Sequence, residues 1–346
     1  GSSWANQSTD LRGAIIAMAN PSGNASTGTG TGITSKRQVF VRGGTYYSPT
    51  YSSGDAFSLF VNNGDKAKFI ESIELVGGCT GKNINDKEEQ DFSNPSVLIE
   101  NPTKVNETKN LLNITTNGKP VTISGFTFQN QSGVGVKAKV NWSSENKGNL
   151  LKVHNSAFRK NKGTGMIVDN DAAKNNTEDN KSGIKMWNVL FADGEGNGLK
   201  ISKSQSADIT NATFANNKDT AVVGTQSVYN SVAWKNRTPN MTTDIQYHNV
   251  VIANTIENGD VLNGPNFVDP KNGDYRIRPS LKLLDQGSNE NYRQNVELER
   301  VYKGEEIDYP ATLAAEKDLG NTARLIGSNI DIGAYECDTE MKPIIY

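Results

Sequence analysis

The stretch Met186-Trp187-Asn188-Val189-Leu190-Phe191 is one of six versions of the same phrase in this 346-residue chain. Each version has a central Asn or Gly, an apolar or aromatic residue two positions before it, and another apolar residue three positions after it. The central residues are Gly125, Asn155, Asn188, Asn211, Asn230 and Asn249. Because the phrase returns every 19 to 33 residues with insertions between copies, it indicates a solenoid in which each copy contributes one coil.

A second apolar run begins ten residues after the central position and opens with a small residue in five of the copies. These openings are Gly135, Gly165, Gly198, Ala221 and Gly259. The runs are about three to five residues long, β-branched or aromatic, and bounded by Asn and Gly, which favours strands over helices. We therefore predict an all-β solenoid with three strands per coil, in which the central Asn lies at the bend between the second and third strands.

The column of central asparagines predicts an Asn ladder. Strands of neighbouring coils lie about 4.8 Å apart, so an Asn that turns inward can hydrogen-bond to its equivalent in the next coil. A further Asn or Asp recurs five or six residues later, at Asn130, Asn161, Asp193, Asn216, Asn236 and Asn254. A single Asn in a turn would indicate only local turn chemistry, but recurrence at one phase favours the ladder.

Segments outside the repeats carry a family resemblance. The sequences SWANQSTDLRGAIIAMAN, QVFVRGGTYYSPT, IELVGGCTG and NPSVLIE resemble the amino-terminal cap and first coils of a right-handed parallel β-helix family of pectate-lyase-like architecture, found on the surfaces of Bacteroidetes and related bacteria. The sequences NFVDPKNGDYRIRPSLKLLDQGSN and IDIGAYE are similar to the closing module of that family. The resemblance implies the fold. It implies little about activity, because one fold hosts many functions.

The chain is expected to form a single domain, because a solenoid adds coils without enlarging one core. Residues 1–35 would form an amino-terminal cap, residues 36–264 the coils, and residues 265–346 a cap at the opposite end. The first cap would contain a short amphipathic helix that plugs the first coil. Its apolar face is Leu11, Ala14, Ile15 and Met18. Three acids of the closing segment are interpreted as turn residues: Asp285, Asp331 and Glu336.

Cys79 and Cys337 lie near opposite ends of the chain. If the coils stack linearly, about eight of them separate the two residues by roughly 40 Å, which is beyond the reach of a disulfide. We therefore predict two thiols. A bridge stays open as an alternative that requires the carboxy-terminal segment to run back along the stack.

Composition excludes several classes of protein. A net charge of −2 without a Lys/Arg-rich run gives no basic patch for nucleic acid. No stretch approaches the roughly 18 apolar residues of a membrane span. Because the chain begins with Gly1 rather than Met, we expect that a secretion signal has been removed. Together with this expectation, the family resemblance implies an extracellular or outer-membrane surface location.

The sequence offers little for nucleophilic, zinc or nucleotide chemistry. His154 and His248 are the two histidines of the chain. Both should point outward from the second strand, about four coils or roughly 20 Å apart, so neither can assist the other. Neither an HExxH motif, a Cys/His cluster with ligand spacing nor a phosphate-binding loop is present.

The resemblance raises two carbohydrate mechanisms. Glycoside hydrolases of this architecture carry Asn-Thr-Asp, Asp-Asp and Gly-His-Gly phrases, which are missing here. A polysaccharide lyase needs a base such as Lys or Arg, often with a calcium ion that neutralises the uronate carboxylate. In such folds the substrate groove runs along the first strand of each coil.

The outward positions of the first strand supply the candidate ligand site. We expect Lys137, Ile167 and Lys200 to form one column, with the two lysines two coils or about 10 Å apart. Insertions after Ala138 and Val168 adjoin this strand. Trp142 in the first insertion is a candidate for stacking on a sugar. The second insertion holds the candidate calcium ligands Asp169, Asp171, Glu178 and Asp179.

Each of these features also has an ordinary structural interpretation. The lysines could simply be solvated, the acidic insertion could bind no metal, and Trp142 could pack beneath its own loop. Trp187 and Trp234 should lie on outer surfaces, where a lone aromatic residue packs under a neighbouring loop more often than it binds sugar.

The sequence therefore predicts a secreted or cell-surface β-helix that recognises a glycan or another surface, without clear catalytic machinery and without a required cofactor. The catalytic candidates, if there is catalysis, are Lys137 and Lys200. The alternatives are a calcium-assisted lyase acting on uronate-containing glycans and a passive structural module.

Overall fold

The computed structural model describes residues 10–19, 35–49, 55–61, 70–84, 87–104, 109–116, 118–139, 149–169, 183–202, 206–224, 227–237, 245–296, 302–303, 306–307, 313 and 315–337. In these ranges the chain is a right-handed parallel β-helix, as predicted. A short helix, α1 (Leu11–Ala19), precedes the coils. None of the described helices is long and apolar enough to span a membrane.

The first strands of the coils form a six-stranded parallel sheet. Its strands, in spatial order, are β3 (Phe57–Phe60), β7 (Asn110–Thr115), β10 (Val134–Lys139), β12 (Met166–Asp169), β14 (Leu199–Ile201) and β16 (Val222–Val223). This first sheet carries the candidate ligand site.

The second sheet stacks the next strand of every coil in parallel. Its strands are β1 (Ser35–Arg42), β4 (Ile70–Ile84), β8 (Val121–Ser124), β11 (Asn149–Arg159), β13 (Gly183–Ala192), β15 (Ser206–Ala215), β17 (Ser227–Trp234) and β18 (Gln246–Ala253). The third sheet consists of β2 (Gly44–Tyr47), β6 (Ser96–Ile99), β9 (Phe126–Gln129) and the later halves of five long strands. These long strands are β11, β13, β15, β17 and β18.

The remaining elements are short. They are β5 (Lys87–Gln90), which pairs with β4, a 3-10 helix (Pro102–Lys104), the hairpin β19 (Phe267–Asp269) and β20 (Asp274–Ile277), α2 (Asn289–Asn295), and the pair β21 (Tyr302–Lys303) and β22 (Glu306–Ile307).

The central Asn of each phrase lies at the bend between the second and third sheets. Asn155, Asn188 and Asn211 have φ of 45°, 51° and 51°, and Gly125 at the equivalent position has φ of 73°. This left-handed conformation is costly for most residues but accessible to Asn and Gly. Backbone geometry at the bend therefore explains why the phrase has Asn or Gly at its centre.

The interior of the solenoid is filled by the inward positions of the three sheets. The Phe that ends most phrases forms a continuous stack, with ring centroids 5.3, 4.6 and 5.2 Å apart from Phe128 through Phe158 and Phe191 to Phe214. Stacked aromatic pairs stabilise beyond their buried area. Phe therefore recurs three residues after the bend because it meets its own equivalent in the next coil.

The inward polar ladder lies one bend later than the sequence predicted. Asn161, Asn217 and Asn236 are buried at the bend after the third sheet. The Oδ1 of Asn236 accepts from the backbone N–H and the side-chain amide of Asn217, at 3.1 and 2.8 Å. Its Nδ2 donates to Phe214 O at 2.9 Å. The asparagines at this later position thus satisfy backbone groups inside the coil.

Four central asparagines, Asn155, Asn188, Asn211 and Asn230, are buried too, whereas Asn249 is exposed. Their amides point away from the core, which corrects the predicted inward direction. Asn155 donates to Lys317 O and Asp318 O at 2.8 and 2.9 Å, and Asn211 donates to Asp331 O and Gly333 O at 2.7 and 3.2 Å. Amide-to-amide bonds join the last three members of the column, Asn211, Asn230 and Asn249. The column therefore fastens the coils to the carboxy-terminal segment.

The described part of that segment lies along the side of the stack, which differs from the predicted cap over the far end. Its apolar side chains, among them Phe267, Tyr275 and Ile332, pack on outward residues of the third sheet such as Leu190 and Ala215. The segment is irregular, as predicted. The repeat period does not predict that this segment runs back along the coils, because the contacts involved join residues far apart in the chain.

A buried ionic cluster anchors the segment. Arg324 is fully buried, donates through Nη2 to Asp331 O and Gly333 O at 2.6 and 3.1 Å, and lies 3.7 Å from Glu336. Asp331 accepts from the backbone N–H of Asp285 and Cys337. The acids Asp331 and Glu336 are thus structural, in line with the turn interpretation.

This arrangement also bears on whether Cys79 and Cys337 form a disulfide. The carboxy-terminal segment does run back along the stack, yet Cys79 and Cys337 are each buried and form no disulfide with each other.

The amino-terminal helix closes the first coil as predicted. Asp10 caps it by accepting from the backbone N–H of Gly13 at 2.9 Å. Ile15 and Met18 join the solenoid core, and α1 packs on β1 and β3. One end of the stack is therefore covered.

Candidate functional site

The outer face of the first sheet holds the predicted ligand column. The register pairs Lys137 with Ile167 and Ile167 with Lys200 in successive strands. Asn113 and Val223 extend the same column on either side. The three candidate residues that sequence spacing placed on one face are therefore neighbours in space.

Strand alternation fixes their direction. Val136 and Ala138 flank Lys137 and are fully buried, and Met166 and Val168 do the same around Ile167. Successive side chains of a strand point to opposite faces, so the column must point away from the core. Lys200 is exposed accordingly.

The two lysines form a regular pair of positive charges. Two strand spacings place them about 10 Å apart along the stack. In the described part of the chain neither ammonium group has an ion-pair partner. Their charge is thus available to an anionic ligand.

A second outward column lies two residues further along these strands. Phe60, Thr115, Lys139 and Asp169 are paired in register. The Phe60 ring is 48% exposed, whereas Lys139 faces Asp169 on the adjacent strand. The face thus offers an exposed ring beside the lysine column, a feature that sequence reasoning missed because no phrase marks the early coil of β3.

An anionic corner adjoins the lysine column. Asp55 accepts from the Nδ2 of Asn110 at 2.5 Å and from the Nδ2 of Asn113 at 2.6 Å. Because both carboxylate oxygens are held, the side chain is fixed where β3 and β7 begin. This group was also missed, since Asp55 lies before the first recognisable repeat.

The remaining candidates cannot be placed on this face. Trp142, Asp171, Glu178 and Asp179 lie outside the described residues. Asp169 is described and exposed at the end of β12. Within the described ranges no group of three or more His, Cys, Asp or Glu side chains could hold a metal ion, so the calcium site stays a prediction.

The histidines lie on the outer face of the second sheet, on separate coils as predicted. The rings of His154 and Trp187 stack 4.3 Å apart. Burial lowers the pKa of His154 to about 4, so the ring is neutral near pH 7. His248 instead stacks on Tyr229 at 4.5 Å. Neither imidazole contacts a candidate nucleophile among the described residues.

The two described tryptophans, Trp187 and Trp234, support packing rather than sugar binding. Trp187 contacts the apolar cluster that includes Tyr292 and Leu313. Trp234 is 5% exposed, meets Phe267 edge to face, and donates to Ile256 O at 2.9 Å. The carboxy-terminal segment therefore occupies these outer surfaces, and none of the apolar contacts of its described residues involves the lysine column.

No protein-family model matches the chain, and no curated protein matches it. Among solved structures the chain is similar to one described as the crystal structure of pectate lyase Pel9A. The sequences are 11% identical, the TM-score is 0.30, and the likeness covers 87% of this chain and 88% of the other. The strand pairing described above establishes the parallel β-helix by itself.

Proposed function

We propose that this protein is a secreted or cell-surface β-helix that binds an anionic glycan on the outer face of its first sheet. The observation that carries the proposal is the column of Lys137, Ile167 and Lys200, in which two ammonium groups without described ion-pair partners flank an apolar side chain. The spacing of about 10 Å is comparable to two sugar units. Acidic sugars at that repeat would meet both charges.

The neighbouring groups suit a sugar chain. The exposed ring of Phe60 offers an apolar surface for a sugar face. Asp55, held by two amides, can accept hydrogen bonds from sugar hydroxyls. A face that combines fixed polar groups with an aromatic surface favours a carbohydrate over a purely ionic ligand.

Removing both lysine charges tests the proposal. Lys137→Gln combined with Lys200→Gln should weaken binding of polygalacturonate, alginate or chondroitin sulfate about 10-fold, because each exposed ionic contact contributes up to about 1 kcal/mol. Isothermal titration calorimetry would measure the loss. Salt should weaken wild-type binding as well.

The matched control is Lys271→Gln with Lys282→Gln, which removes the same charge from exposed positions of the carboxy-terminal segment. It should leave affinity unchanged, and both double variants should keep the wild-type melting temperature. Equal losses of affinity in the two double variants would mean that binding depends only on the net charge of the protein. If none of the three polymers binds the wild-type protein, the alternative of a passive structural module is favoured.

Trp142→Ala is expected to weaken binding of these polymers too.

The lyase alternative has its own test. We expect no growth of ultraviolet absorbance when the protein is incubated with these polymers and calcium. Elimination needs charge neutralisation and a base at the same sugar, and the described face places Asp169 beside Lys139 rather than in a carboxylate cluster. Calcium-dependent absorbance that disappears in Lys200→Ala would contradict this expectation and favour the lyase.

A further inference from the structure

Among the described residues, the last coil leaves one strand edge of the solenoid open. β18 pairs with β17, and no described strand pairs with its other edge. Tyr247 and Ile252 occupy inward positions of β18, yet they are 44% and 49% exposed. Their partners one coil earlier, Val228 and Ala233, are both 0% exposed. Apolar side chains that point into the interior are thus exposed at this end.

The opposite end is built differently. α1 covers it and inserts Ile15 and Met18 into the core. Its first strand, β1, also carries Lys36, Arg37 and Arg42. A covering helix and charged side chains are means by which proteins keep sheet edges from pairing.

β18 lacks both of these protections in the described structure. Its sequence, QYHNVVIA, contains no Lys, Arg, Asp, Glu or Pro. An uncharged edge with unpaired backbone groups and exposed apolar residues is a template for another strand.

The asymmetry of the two ends selects the partner. A head-to-tail contact between copies would join unlike ends, and the first end is covered by α1. Two like ends can instead meet about a twofold axis and close. We propose that two copies of this chain pair end to end through β18.

The bend in β18 fits such an axis. Asn249, with φ of 60°, divides the strand into residues 246–248 and 250–253. A twofold axis through the bend places residues 246–248 of each copy antiparallel to residues 250–253 of the other copy. In the register that places Asn249 opposite Val250 of the partner subunit, Tyr247 faces Ile252 of the partner subunit. The exposed apolar positions would then close both interiors.

Sedimentation velocity and light scattering test the pairing. At about 10 μM the wild-type protein should have twice the chain mass of 37.5 kDa. Tyr247→Lys and Ile252→Lys, made separately, should each weaken the dimer at least about 100-fold, because each buries two like charges at the contact. Ile16→Lys is the matched control, since Ile16 is 41% exposed on α1 at the other end.

A monomeric wild-type protein at that concentration overturns the proposal. So does a dimer that persists in both β18 variants, or one that Ile16→Lys dissociates equally. Amide hydrogen exchange of the unmodified protein decides the matter if a variant fails to fold. Protection of the β18 amides that decreases on dilution supports the dimer, whereas protection that is independent of concentration means that the same chain covers the edge.

Discussion

Above about pH 8, where the buried carboxyl groups of Asp318 and Glu336 are ionised, Arg324→Met is expected to lower the free energy of unfolding by about 3–5 kcal/mol, because it leaves these charges without their cation. Arg324 is fully buried beside Glu336, and its Nη2 satisfies the carbonyls of Asp331 and Gly333. Met fills much of the same volume but offers neither charge nor donors. Equilibrium denaturation in urea would measure the loss.

The loss should grow with pH. Burial raises the pKa of Glu336 to about 8 and that of Asp318 to about 6, and Arg324 partly opposes both shifts. Because these folded-state pKa values exceed the unfolded ones, the stability that the two carboxyl groups contribute is fully present below about pH 4. It disappears as the pH rises through about 6 and then about 8. Without the guanidinium group, the decline in stability over that window should be steeper.

Arg276→Met is the matched control. Arg276 forms a 2.6 Å ion pair with Asp274, but its side chain is 49% exposed, so its removal should cost at most about 1 kcal/mol. Similar losses in the two variants would mean that the cluster around Arg324 contributes no more than a surface ion pair.

Asn211→Leu should cost about 3 kcal/mol, the second large effect. Leu loses about 1–2 kcal/mol in the left-handed conformation at this bend. It also loses the two hydrogen bonds from the Nδ2 of Asn211 to the carbonyls of Asp331 and Gly333. Those carbonyls keep Arg324 as a donor, so each lost bond costs about 0.5–1.5 kcal/mol. Thermal and urea unfolding would both report the change.

Asn130→Leu separates the two causes. Asn130 has φ of 54° and an exposed side chain, so only the backbone cost of about 1–2 kcal/mol applies there. If the two variants lose equal stability, the hydrogen bonds from Asn211 to the carboxy-terminal segment contribute nothing measurable.

The repeats alone determined the coil. The alternation around Lys137, Ile167 and Lys200 predicted an outward column, and the strand register has these residues as direct neighbours. The prediction succeeded because side-chain direction in a strand follows local alternation and parallel stacking carries it from coil to coil. The α1 plug was predictable for the same reason, since helical periodicity and capping are local.

Other parts of the candidate site needed the tertiary structure. Asp55 and Phe60 join the ligand face through coils that precede the first recognisable phrase. These coils contain strands but no central Asn, so the repeated phrase did not identify them.

The direction of the Asn188 and Asn211 side chains was likewise not encoded in the period. The repeated phrase placed these residues at a bend, and local sterics explain why Asn can adopt the left-handed conformation that the structure has there. Which side of the bend the amide faces depends on what lies there to accept its hydrogen bonds. Tyr292, Lys317 and Asp331 supply those acceptors from about 100 or more residues away along the chain. Only the tertiary structure decided this, because such contacts between distant segments leave no periodic trace in the sequence.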